Sequence, residues 1–177
     1  DSKGSLDYMY NTDENIGSVG NIIYSKGLVF APAEVDMSIR PGWFYRDSEK
    51  PHSLDRLFKT YLDSVGSNAT FILNVPPTPN EKFNDEDVAR LKELGDKIRS
   101  EFAVDLAQKA EISVSPYNGS ETQRIIDIVL GKTENIKYIE LCENIAHGQR
   151  IENYFIQKPA EGGKWLSVYE GTTVGNR

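Results

Sequence analysis

The chain has 177 residues, of which 38% are hydrophobic and 27% charged, with a formal net charge of −7. That length holds one ordinary domain or two small ones, and the composition is that of a globular protein. Acidic residues are spread along the chain and not gathered in a tail, which argues against nucleic acid and anionic membranes as partners, and no apolar run reaches the length of a membrane span.

Residues 1–20 are polar and rich in Gly, Asn and Ser, with Tyr8 and Tyr10 as their aromatic side chains. They read as a long loop. No initiator Met and no signal peptide stand at Asp1, so the chain reads as a processed product or a fragment, with its compartment left open. Leu28-Val-Phe30 reads as the first strand. It leads into Ala31-Pro-Ala-Glu-Val-Asp-Met-Ser-Ile-Arg-Pro-Gly-Trp-Phe-Tyr45.

This segment gathers two carboxylates, an arginine, a Pro-Gly turn and consecutive aromatics. In an extended backbone Glu34 and Asp36 share one face, with Met37 and Ile39 on the other. Carboxylates beside aromatic faces suit a sugar, whose CH face stacks while its hydroxyls meet charged groups. The other reading is an edge strand with solvated acids, followed by a turn and an aromatic core cluster. Trp43-Phe-Tyr45 reads as a short extended piece, and Arg46 to His52 as a charged loop with His52 solvated.

Ser53 is placed to cap a helix over Leu54 to Ser64, with Leu54, Leu57, Phe58, Tyr61 and Leu62 on one stripe and Gly66 at its end. Ala69 to Val75 is a continuous apolar strand ended by Pro76-Pro77, the pattern of a strand buried on both faces of a parallel sheet. Thr78 to Phe83 is loop. Asn84 caps a second helix, about Asp85 to Leu106, with Asp85, Glu86 and Asp87 in a first turn that favours acids. Its expected stripe is Val88, Leu91, Leu94, Ile98 and Phe102. Strand and helix alternation up to this point indicates an α/β fold.

After about Gln108 the pattern changes to short strand-like runs: Glu111 to Ser115, Arg124 to Leu130, Ile136 to Cys142, Ile151 to Gln157 and Trp165 to Tyr169. They predict an all-β sandwich with a boundary near 107–110, fewer in strands than a complete one. Cys142 is the only cysteine, so no internal disulfide forms, and it reads as a buried strand thiol. Asn68-Ala-Thr70 and Asn118-Gly-Ser120 match the short glycosylation pattern. No phosphate loop, zinc spacing or calcium loop is present, and no cofactor or metal is implied.

Three stretches, in order, resemble one family. They are Pro32 to Tyr45, Ile72-Leu-Asn-Val-Pro-Pro77, and Glu143-Asn-Ile-Ala-His-Gly-Gln-Arg-Ile-Glu152. Together they resemble glycoside hydrolase family 29, the α-L-fucosidases, in the branch acting on α-1,3/1,4-linked fucose. The resemblance implies a (β/α)8 TIM-like barrel followed by a β-sandwich of discoidin or carbohydrate-binding type. A whole barrel needs roughly 250 residues, so 1–107 would be the C-terminal portion of the barrel and 108–177 an incomplete accessory sandwich.

The family retains configuration, which takes a nucleophile and an acid/base with carboxyl groups about 5–5.5 Å apart. By resemblance the acid/base is Glu34. The family's nucleophile is an Asp in a Trp-Phe-Asp-like strand end, and no such motif lies between Asp1 and Ala33, so the nucleophile and the rest of the barrel are expected outside this chain. Glu34 and Asp36 would lie on the same side of a sugar, which argues against them as the pair. Asp36 is expected to orient Arg40 or cap a turn.

Arg40 either grips a sugar hydroxyl or carboxylate or sits in a structural ion pair. Trp43 is a stacking platform or a core residue. Asn74, at the C-terminal end of the last barrel strand, is a site residue or a turn cap. Trp165 is expected in the sandwich core. Neither His52 nor His147 maps to the family's fucose-binding histidines, and His147 is expected to be structural. The implied partner is a fucosylated oligosaccharide or glycoconjugate, and the implied location is secreted or periplasmic. The competing reading is a non-catalytic carbohydrate-binding sandwich carrying an inactive barrel remnant.

Overall fold

A computed structural model describes residues 23–24 and 33–176. The loop expected over 1–20 and the strand expected over 28–30 lie outside the described residues, apart from the turn at 23–24.

Among the described residues the α/β part is built from four elements. Strand β1 (Glu34–Ser38) pairs in parallel with β2 (Thr70–Asn74), Glu34 opposite Thr70 and Ser38 opposite Asn74. A parallel pair needs a crossover, and helix α1 (Leu54–Val65) supplies it. Helix α2 (Asp85–Glu101) follows β2 and packs beside α1. Strand alternation then sorts the side chains. Met37, Ile39, Leu73 and Val75 turn toward the helices and join Leu57, Phe58 and Leu94 in one core. Glu34, Asp36, Thr70 and Ile72 are exposed on the other face. Burial of β2 is therefore one-sided among the described residues, not two-sided as its apolarity suggested.

Helix α1 follows its sequence closely. Ser53 adopts an extended backbone and its hydroxyl accepts the Arg56 N–H, and the expected stripe faces the core. Gly66 ends the helix without a left-handed conformation. A Cβ there would lie 2.5 Å from the Leu62 carbonyl oxygen, so close approach selects the glycine.

Helix α2 departs from its expected pattern twice. It ends at Glu101 because Asp105 starts a separate 3-10 turn, Leu106–Lys109, its carboxylate accepting the Ala107 N–H. On its inner face, Val88 is 49% exposed, and the buried position at the start of the stripe is Asp87.

The remaining strands form two antiparallel hairpins, β3 (Glu111–Pro116) with β4 (Arg124–Val129), and β5 (Tyr154–Pro159) with β6 (Trp165–Gly171). Ile136 to Cys142 is not a strand. Lys137 bonds Glu101 and Tyr138 packs on Phe102 at 5.1 Å, so this run is drawn along the end of α2 and away from strand pairing. Cys142 is exposed, not buried, and Trp165 is exposed at the start of β6, not in a core. The end of the chain returns to the α/β part, where Asn68 donates to the Val174 carbonyl at 2.8 Å. Gly175, at φ +66°, passes so close to Asn68 that a Cβ would meet its amide at 2.8 Å.

Candidate active site

The C-terminal ends of β1 and β2 carry a dense hydrogen-bonded rim. Pro41-Gly42 turns the chain out of β1, and residues 40–49 loop over the strand end. Asn74, the last residue of β2, donates its amide to Ser38 Oγ at 3.1 Å and to the Trp43 carbonyl at 3.0 Å. Ser38 Oγ donates to the Gly42 carbonyl at 2.8 Å, and the Gly42 N–H donates to Glu49 Oε2 at 3.0 Å. The backbone on both sides of Trp43 is thus pinned, while its indole stays 56% exposed. Trp43, Phe44, Asn74 and Pro76 to Pro79 line an open groove of about 390 Å³.

Trp43 and Asn74 are therefore brought together, at the end of a parallel strand pair where α/β proteins place their sites. Trp43 is exposed and not a core residue. Asn74 serves both readings at once, since its amide nitrogen fixes the turn while it also borders the groove.

Arg40 is corrected to its structural reading. Its side chain is 1% exposed and Asp87 is 0% exposed, with Nε donating to both carboxylate oxygens at 3.0 and 2.9 Å. Nη1 donates to the carbonyls of Arg46 and Glu49, and the guanidinium lies 4.8 Å from the Tyr45 ring centroid. Among the described residues Nη2 is buried without a partner. Asp36 is exposed and does not pair with Arg40.

Glu34 is the first residue of β1, opposite Thr70 of β2, and is exposed on the face it shares with Asp36. His52 is half-buried, not solvated. Its N–H donates to the Ile39 carbonyl at 2.8 Å, and burial, aided by the Arg56 charge, lowers the imidazole pKa. His147 falls in the 3-10 turn Ile145–His147.

Asp87 is the residue that sequence reasoning missed, having counted it among the dipole-favoured acids of the first turn. A signal existed: Asp87, Leu91, Leu94 and Ile98 follow helical spacing, so Asp87 shares the core stripe. A carboxylate on such a stripe needs a cation, and Arg40 is the one the strand delivers.

The rim thus carries an exposed indole beside an open, largely apolar groove lined by aromatic and proline residues. The α-L-fucosidase family model matches residues 7–101, more than half of the chain. An Arabidopsis thaliana α-L-fucosidase 1 is 33% identical over 176 residues, covering 85% of this chain and 35% of that protein. The crystal structure of SpGH29 is 31% identical with a TM-score of 0.75, covering 85% of this chain and 37% of that one. A Ruminococcus gnavus GH29 fucosidase solved in complex with fucose is 29% identical with a TM-score of 0.77, covering 85% and 35%. The chain spans about a third of the length of these relatives. It belongs to the α-L-fucosidase family, glycoside hydrolase family 29.

Proposed function

We propose that this chain is part of a retaining α-L-fucosidase that removes terminal α-1,3/1,4-linked L-fucose from glycans. In this reading residues 1–107 are a C-terminal portion of a (β/α)8 barrel and 108–177 an accessory β-sandwich, with the rest of the barrel supplied by a longer polypeptide. The observation that carries it is the junction of Trp43 and Asn74 at the C-terminal ends of two parallel strands, in a chain that belongs to the fucosidase family. The indole offers a face to the sugar ring, and Asn74 offers its amide oxygen to a hydroxyl. The R. gnavus relative holds fucose in its crystal structure, which fits such a site.

In this proposal Glu34 is the general acid/base, as the resemblance of Pro32 to Tyr45 implies, and it stands on the sheet face turned away from the helices, the side a closed barrel encloses. The nucleophile Asp is expected in the remainder of the barrel.

The test uses the full-length polypeptide carrying this chain. It should hydrolyse fucosylated oligosaccharides with α-1,3 or α-1,4 linkages and leave α-1,2-linked ones largely uncut. Absence of any fucose release defeats the proposal. Glu34→Gln should cost on the order of 100-fold or more on natural oligosaccharides, whose leaving groups need protonation, while sparing activated aryl fucosides. A rate on natural oligosaccharides within about threefold of the wild type removes Glu34 from the mechanism.

A further inference from the structure

We propose that Asp87, on the helix behind the sheet, is the positioning residue for Trp43 and acts through Arg40. The inference rests on the reading of Trp43 as the sugar-facing platform.

Asp87 does not line the groove and lies on the buried side of α2. Its two oxygens fix the Arg40 guanidinium at Nε, which turns Nη1 toward the carbonyls of Arg46 and Glu49. Those bonds close residues 40–49 into a ring around one cation. Inside the ring, the Glu49 carboxylate holds the Gly42 N–H next to Trp43. The Tyr45 ring lies under the guanidinium, and its hydroxyl donates to Asp47 at 2.8 Å and accepts from Asn84 at 3.1 Å. Asn84 also caps α2, its side chain accepting the Glu86 N–H at 2.9 Å. One helix start therefore supplies both ties of the rim.

A rigid fork is needed for this task. Lysine could pair with Asp87 but could not hold two carbonyls in a fixed plane at the same time. Without Asp87 the buried guanidinium loses its ion-pair partner, and the loop it closes opens before the rest of the fold.

Limited trypsin digestion of the chain reads this directly. Arg40 and Lys50 both precede proline and resist cleavage, so Arg46 is the only reporter inside the ring. Lys59 on α1 and Lys92 on α2 are exposed controls in the same unit. Asp87→Asn should speed cleavage after Arg46 about tenfold relative to Lys59 and Lys92, the signature of local opening. Equal rates at all three sites with the melting temperature unchanged overturn the inference. Where Asp87→Asn opens all three together by general unfolding, Glu49→Ala decides. It removes the Gly42 tie without stranding a buried charge, should accelerate Arg46 alone, and overturns the inference if it does not. In the full-length polypeptide Asp87→Asn should raise KM for a fucosylated oligosaccharide about fivefold, with a smaller change in kcat, as expected when binding geometry and not the chemical step is loosened. A wild-type polypeptide without fucosidase activity defeats the functional reading alone, and the cleavage pattern still decides the clamp.

Discussion

Asp87→Ala is expected to destabilise the α/β unit by about 3–5 kcal/mol, the cost of leaving one partner of a buried ion pair uncompensated. Both side chains are buried, and Arg40 already has one nitrogen without a partner among the described residues. Single domains hold only about 5–15 kcal/mol in total, so this variant should sit near its unfolding midpoint in mild urea. The double variant Arg40→Met, Asp87→Leu should recover most of the loss, because a packed apolar pair avoids the desolvation that the ions pay. Urea unfolding followed by circular dichroism measures both. A single variant as stable as the wild type would show that the pair is solvated.

Leu57→Ala is expected to cost about 2–5 kcal/mol by the loss of buried surface and the cavity left behind. Leu57 is fully buried and joins the core that Ile39, Phe58 and Leu94 form between sheet and helices. The upper end applies because those neighbours are anchored from opposite sides by β1, α1 and α2 and cannot all collapse inward. Val88→Ala is the contrasting case. Its side chain faces solvent, and its change should stay within about 0.5 kcal/mol. The sequence stripe placed Val88 inside, so the pair of variants also discriminates between the pattern and the structure.

Local rules were easiest to read where one short-range interaction decides. Ser53 and Asn84 cap the helices they precede because a side-chain oxygen meets an N–H two or three residues on, a property of the sequence alone. The stripe of α1 and the apolar character of β2 read correctly for the same reason. Misreadings came where a distant residue decides. Asp87 looked like a dipole-favoured surface acid, and its partner stands 47 positions away. The run from Ile136 to Cys142 had strand composition, yet its docking on Glu101 and Phe102 overrides propensity. Trp43 and Asn74 were legible as candidates because a turn follows one strand and a Pro-Pro break the other, so both fall at strand ends. Their meeting through the Trp43 carbonyl was not, since it depends on parallel register.

The exposed indole at the strand ends is the surface proposed for the sugar. The most direct measurement is kcat/KM for a fucosylated oligosaccharide with Trp43→Ala in the full-length polypeptide, beside its melting temperature. A fall of about tenfold or more, carried mainly by KM and without loss of thermal stability, is the predicted result, a tenfold change corresponding to about 1.4 kcal/mol of lost binding to the transition state. A variant that turns over the oligosaccharide as well as the wild type would contradict it.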